Sequence, residues 1–116
     1  MSEEVVESFK ELCKMLGGSL RKLKFDVWSC WFKEPRQLKV HTPPYGVIVE
    51  DAESKRSTLL PLITGSYEVD LGMPLSGHVS VTKPGLTNAV TEVEFKGNFR
   101  RITLNAKGEH FHLIFD

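Results

Sequence analysis

The chain has few cysteines, no excess of either charge and no long apolar run. Its only two cysteines are Cys13 and Cys30, too few for a disulfide scaffold, so we expect both thiols to be reduced and the protein to be cytoplasmic. Its 15 Lys and Arg balance 15 Asp and Glu, whereas proteins that coat polyanions carry a strong basic excess. No apolar stretch approaches the roughly 20 residues that a membrane-spanning helix needs, and we predict no membrane contact.

The composition that remains is that of a folded domain. The chain has 116 residues, of which 41% are apolar and 26% are charged, so its composition is that of neither a disordered tail nor a membrane segment. A domain of this length buries about two thirds of the surface of its unfolded chain. We therefore predict a single domain over residues 1–116, with a helix over 2–16 and a β-rich part over 19–116.

An amphipathic helix is predicted at the start of the chain. Val5, Phe9, Leu12 and Leu16 recur at three- and four-residue spacing, which places them on one face of a helix. The two glycines that follow, at 17 and 18, provide a stop. The apolar stripe must lie on another part of the protein.

Beyond residue 18 the sequence is typical of antiparallel strands. Short runs of Val, Ile, Thr, Phe and Trp alternate with Pro, Gly and Asn, which mark turns. We distinguish ten candidate strands and expect several of them to merge. The breaks between them are predicted at Glu34-Pro35, Pro43-Pro44, 51–57, Met73-Pro74 and 83–88. The predicted fold is α+β: the N-terminal helix packs on a bent antiparallel sheet or small β-barrel of six to eight strands.

A hairpin is predicted near the C-terminal end, with its turn at 105–108. If Leu104 pairs with Glu109, Arg101 lies opposite His112. Because side chains alternate along a strand, the hairpin has a core face and a polar face. The predicted core face carries Ile102, Leu104, Phe111, Leu113 and Phe115, and the predicted polar face carries Phe99, Arg101, Thr103, His110, His112 and Ile114.

The polar face of this hairpin is the first candidate binding site. His110 and His112 are two residues apart, so on a strand they point the same way and could share a metal ion. Third ligands would have to come from residues that the sequence does not bring near, namely His78, His41, Glu109 or Asp116, and we predict no metal. Arg101 favours a carboxylate or phosphate ligand instead. The alternative is a solvated face on which Arg101 pairs with Glu92 or Glu94.

A second candidate site lies within residues 20–40, where basic and aromatic residues alternate. Lys22, Lys24 and Lys39 could contact phosphates while the neighbouring aromatic rings stack on bases, as in proteins that bind single-stranded nucleic acid. The alternative is that the aromatic residues of this segment belong to the core: Phe25, Trp28, Trp31 and Phe32.

Tyr45 is a third candidate, in the rigid connection 42–46 that contains two prolines. Such a connection can shape the mouth of a pocket or contact a partner. The alternative is a plain turn in which Tyr45 covers the core. The two cysteines are poor candidates for catalysis, because Cys13 falls on the apolar face of the helix and Cys30 between large aromatic residues.

These observations predict a non-enzymatic binding or assembly module that contacts a protein partner or a small anionic ligand and needs no cofactor. Its predicted ligand-binding residues are Arg101, His110, His112 and Tyr45. One alternative is an enzyme whose β-lined pocket uses His110 or His112 as a base or metal ligand. Another, less favoured, is binding of single-stranded nucleic acid through Lys22, Lys24 and Lys39. A homodimer is compatible with the many short edge strands.

Overall fold

A computed structural model describes residues 2–43, 45–61, 66–70, 77–82, 93–108 and 110–116, with the backbone alone at 2, 66–70, 81, 82 and 110. In this part of the chain one helix precedes eight strands. The elements are α1 (Ser2–Met15), β1 (Ser19–Lys24), β2 (Val27–His41), β3 (Gly46–Asp51), β4 (Ser57–Pro61), β5 (Ser66–Asp70), β6 (Gly77–Thr82), β7 (Glu94–Lys107) and β8 (His110–Phe115).

The fold is α+β, as the sequence predicts. The strands form one antiparallel sheet in the order β4-β3-β2-β7-β8-β6-β5, and β1 pairs with β2 outside this path. The sheet is curled into a half-barrel, with α1 packed on it. The helix lies against β4, β7 and β1. Among the described residues, the structure has no helix with the length and apolar character that a membrane span requires.

Strand β2 is long, and its two halves have different neighbouring strands. Its first half pairs with β1 and its second half with β3, while β7 pairs with both halves. The register with β7 shifts between Trp31 and Arg36. Pro35, which has no N–H to donate, stands in this irregular stretch and interrupts no regular ladder. The break predicted at Glu34-Pro35 is therefore an irregularity inside one strand.

The core lies between the apolar stripe of α1 and one face of the sheet. Val5, Phe9, Leu12 and Leu16 are all buried, which confirms the predicted stripe. The hairpin residues predicted to face the core are buried as well: Ile102, Leu104, Phe111, Leu113 and Phe115. Both helical and strand periodicities therefore identify these core residues correctly.

The register of the C-terminal hairpin differs from the prediction. Leu104 pairs with Leu113 and Asn105 with His112, because β7 continues to Lys107, which pairs with His110. Gly108, with a φ of 65°, occupies the left-handed region that a tight turn requires. The predicted pairing of Arg101 with His112 is therefore wrong. The backbone N–H of Asp116 instead donates to the carbonyl of Arg101.

Phe99 was predicted on the polar face of the hairpin, and that prediction is wrong. Its side chain is buried, and its ring lies 5.4 Å from that of Phe115. The backbone N–H groups of Arg100 and Arg101 both donate to the carbonyl of Asp116. Two residues of β7 thus oppose one residue, as in a β-bulge, and the alternation of side chains shifts by one position.

The two cysteines are buried, as predicted, but the expected reduced thiols are wrong. Cys13 on α1 and Cys30 on β2 form a disulfide, with their Cα atoms 5.7 Å apart, well within the range for such bonds. Gly18 passes directly under this bond, where an added Cβ would collide with the Cys30 sulfur. The disulfide therefore ties the helix to the central strand of the sheet.

Candidate functional site

Arg101 is engaged within the protein instead of being presented with His112. Its Nε donates to Asp116 Oδ2 at 2.9 Å, and its Nη2 donates to the same oxygen. Its guanidinium lies 4.7 Å from the centre of the Trp31 ring. The alternative partner Glu94 lies instead beside Lys39, His41 and Lys96, and Glu92 falls outside the described residues.

The other predicted ligand-binding residues do not assemble around Arg101. Tyr45 is 61% exposed in the connection between β2 and β3, so it does not cover the core. Two strands, β2 and β7, separate β3 from β8 in the sheet. The His110 side chain lies outside the described residues, and its predicted role with His112 stays a prediction.

His112 meets two residues of the neighbouring strand β6. His112 Nδ1 lies 2.7 Å from Ser80 Oγ and 3.2 Å from His78 Nε2, and Ser80 Oγ lies 3.4 Å from the same His78 nitrogen. The register explains this meeting, because Ser80 pairs with His112 while His78 lies two residues away on the same face of β6. His78 was predicted only as a possible third metal ligand, which the sequence alone does not bring near His112. We call these three residues the histidine cluster.

A cleft of about 350 Å³ opens between the end of α1, the irregular part of β2 and the loop after β3. Its wall includes Arg36, whose Nη2 donates to Asp51 Oδ2 at 2.8 Å. Asp51 is only 2% exposed, and the same oxygen accepts bonds from the backbone and hydroxyl of Ser54. Because Asp51 compensates the charge of Arg36, the cleft offers little to an anionic ligand.

The ionised Asp51 carboxylate stabilises the folded protein at neutral pH, and acid should remove this contribution. Burial alone would raise the pKa of Asp51, but the hydrogen bonds from Ser54 and the charge of Arg36 outweigh it and hold the pKa below its ordinary value. A carboxyl group whose pKa is lowered in the folded state stabilises the fold at any pH above its unfolded pKa, which is near 4. This contribution is lost as the pH falls through the pKa of the folded state.

We expect Asp51→Asn to lower the free energy of unfolding at pH 7 by about 2 kcal/mol, less than for a fully buried pair because Arg36 is partly exposed. Urea unfolding between pH 2 and 7 should show that the variant and the wild type converge in acid. Glu53→Gln, in the same loop and exposed, is the control and should follow the wild type. A difference between Asp51→Asn and wild type that persists at pH 2 would contradict the assignment.

The hairpin of β1 and the first half of β2 (residues 19–31) is here called the basic hairpin. All six side chains of β1 are exposed. The Lys22 ammonium lies 5.4 Å from the ring centre of Trp28 and 5.9 Å from that of Phe25, and Arg21 lies 5.4 Å from that of Trp31. Cation–π contacts therefore hold two cations of β1 over the aromatic side chains of the hairpin.

The three lysines predicted to bind nucleic acid do not share one surface. Lys22 and Lys24 lie on β1, whereas Lys39 lies in the second half of β2, beyond the change of neighbours. Lys39 Nζ is 3.7 Å from a carboxylate oxygen of Glu94. The Trp28 ring also packs against the core. The predicted strip over residues 20–40 is thus divided into two regions.

No protein-family model, curated protein or solved structure matches this chain. Functional inference therefore depends on the two surfaces described above, the basic hairpin and the histidine cluster. Within the described residues, no three side chains of His, Cys, Asp or Glu are grouped so that they could hold a metal ion.

Proposed function

We propose that this protein is a non-enzymatic protein-binding module that takes an acidic, extended segment of a partner protein along the edge of β1. The observation that carries the proposal is an edge strand whose six side chains are all exposed and include three cations, Arg21, Lys22 and Lys24. No other described strand pairs with β1 besides β2. Its outer edge therefore has backbone groups that an added strand can pair with.

Exposed apolar side chains favour a protein as the partner. Leu20 is 40% exposed, Leu23 is 54% exposed and Phe25 at the turn is 82% exposed. Exposed large apolar side chains along one strand and its turn are typical of contacts between proteins. An extended peptide added to β1 would place alternate side chains against these residues while its backbone completes the ladder.

The charge of β1 favours an acidic segment over a second copy of this chain. Two β1 strands paired edge to edge would bring three cations of one copy against three cations of the other, and like charges across a ladder are destabilising. Lysines on an edge strand are a common protection against such self-pairing. A segment rich in Asp and Glu would meet the same cations favourably, and the predicted homodimer is accordingly less favoured.

Two other interpretations receive less support. For an enzyme, the predicted residues are apart: Arg101 is bound to Asp116, while His112 contacts Ser80 and His78. For single-stranded nucleic acid, Lys39 is separated from Lys22 and Lys24. The cytoplasmic location inferred from the low cysteine count also remains a prediction, and the Cys13–Cys30 disulfide favours an oxidising compartment instead.

A defined peptide tests the proposal. The probe is a fluorescent ten-residue peptide of alternating Glu and Val, titrated with the protein and followed by fluorescence anisotropy. We expect Lys22→Glu/Lys24→Glu to weaken binding at least tenfold, because two favourable charge contacts become repulsive. The matched control, Lys33→Glu/Lys55→Glu, makes the same charge change at exposed positions outside the basic hairpin and should bind within twofold of the wild type.

Two further probes separate strand addition from simple charge attraction. The same peptide with N-methyl groups on alternate residues cannot complete a ladder and should bind at least tenfold more weakly. Tighter binding of a ten-nucleotide single strand of deoxythymidine, lost in Lys22→Glu/Lys24→Glu and falling steeply with salt, would overturn the proposal in favour of nucleic acid. Equal weakening by the control variant, or no binding of the peptide at 1 mM, would also overturn it.

A further inference from the structure

The histidine cluster lies on the face of the sheet that points away from the core. Val79 and Leu113, the neighbours of its residues along β6 and β8, are fully buried, so alternation sends His78, Ser80 and His112 to the opposite face. Ser80 is nevertheless only 8% exposed, and both imidazoles are partly buried. Two ring nitrogens and a hydroxyl thus converge at a sheltered place on this face.

The positions of the two rings match those of imidazoles that share a tetrahedral ion. A zinc ion about 2.05 Å from two nitrogens at a tetrahedral angle sets those nitrogens about 3.3 Å apart and the ring centres about 5.2 Å apart. In the structure the nitrogens are 3.2 Å apart and the ring centres 5.2 Å apart. The planes differ by only 5°. With nitrogens this close and ring centres this far apart, the two rings lie side by side in nearly one plane, which can also contain a shared ion.

The register places two acidic residues of β5 at positions that pair with two members of the histidine cluster. On β5, Glu68 is the pairing partner of Ser80, and Asp70 is the pairing partner of His78. The rows thus run Glu68, Ser80, His112 and Asp70, His78, Ile114 across three adjacent strands. Histidine nitrogens with carboxylate oxygens are a common ligand set for zinc.

From these distances we propose that His78 and His112 are two nitrogen ligands of a divalent transition-metal site, with zinc as its preferred ion. The site joins β6 to β8 and is separate from the basic hairpin, so it does not depend on the proposed binding of a partner. His78 Nε2 and His112 Nδ1 are the ligand atoms, and a bound ion would replace their present contacts with Ser80 Oγ, because a metal-bound ring nitrogen has no hydrogen or lone pair left for a hydroxyl.

Zinc titration of the purified protein, stripped of metal with a chelator and dialysed, tests the site directly. Isothermal titration calorimetry should show one zinc per chain, and Co²⁺ in place of zinc should give the visible absorption of a tetrahedral ion. We expect His78→Ala and His112→Ala each to weaken zinc binding at least tenfold. His41→Ala is the matched control, because His41 lies on β2 beside Glu94 of β7 and outside the histidine cluster. This variant should bind zinc like the wild type.

Two supplementary variants decide between ligand sets. Glu68→Gln/Asp70→Asn preserves side-chain size, and it should weaken zinc binding if carboxylates of β5 complete the site. Zinc binding that is unchanged in both His78→Ala and His112→Ala would overturn the proposal. Loss of binding in His110→Ala with normal binding in His78→Ala would replace the cross-strand site by the pair on β8, and so would overturn it. Absence of stoichiometric zinc binding by the wild type, confirmed as folded by circular dichroism, overturns it as well.

Discussion

Replacement of Phe115 with alanine is expected to lower the free energy of unfolding by about 4 kcal/mol, as for other fully buried phenylalanines. Phe115 is the last residue of β8, and its ring packs against Phe95 at 5.6 Å and Phe99 at 5.4 Å between ring centres. It also pairs with Ile102 of β7 and Gly77 of β6. Its removal would leave a cavity where three strands meet.

This loss is large compared with the total stability of an ordinary domain, about 5–15 kcal/mol. Urea unfolding followed by intrinsic tryptophan fluorescence measures it, and the midpoint should fall well below that of the wild type. Phe25→Ala is the matched control, since the same atoms are removed from a side chain that is 82% exposed. The control should change stability by less than about 0.5 kcal/mol. Similar effects of the two substitutions would refute the packing described for Phe115.

Reduction of the Cys13–Cys30 disulfide is expected to lower the free energy of unfolding by about 3 kcal/mol. The bond closes a loop between residues 17 positions apart, and cross-links of such loops remove about this much chain entropy from the unfolded state. Both cysteines are buried where α1 packs on the sheet.

Thermal unfolding with and without dithiothreitol measures this contribution. The wild type should lose stability in the reductant, whereas Cys13→Ala/Cys30→Ala should be equally stable with and without it. Mass spectrometry after denaturation and alkylation without reductant provides the chemical check. Protein isolated under oxidising conditions should take up no alkyl groups, and uptake of two would show that the thiols are free and contradict the disulfide.

The core residues of the C-terminal hairpin were predictable because alternation depends only on whether two residues of a strand are an even or an odd number of positions apart. Moving the partner of Leu104 from Glu109 to Leu113 shifts the hairpin by an even number of residues, so every side chain except those beyond the bulge keeps its face. The same shift moves Arg101 away from His112. The face on which a residue lies can therefore be predicted from the sequence pattern. The residue that it pairs with on the next strand can be predicted only when the turn is also placed correctly.

The histidine cluster lay beyond prediction for a related reason. His78 and His112 are 34 residues apart and meet because β6 pairs with β8, although β7 lies between these two strands in the chain. Local periodicity carries no information about such long-range pairing. Phe99 shows a different failure, because a bulge at Arg100 and Arg101 reverses the alternation that its neighbours obey. The basic hairpin, formed by adjacent segments, was recognisable from its composition.

The pairing of β2 with β7 has a consequence for how the chain folds as it is made. Val27 pairs with Asn105 and His41 with Glu94, so the central ladder of the sheet joins segments far apart in the chain. Proteins dominated by such long-range contacts fold slowly. At a synthesis rate of about 5–20 residues per second, β2 precedes β7 by on the order of several seconds. During that time the apolar side chains and unpaired edge of β2 are open to wrong partners, and general chaperones are the expected protection for this interval.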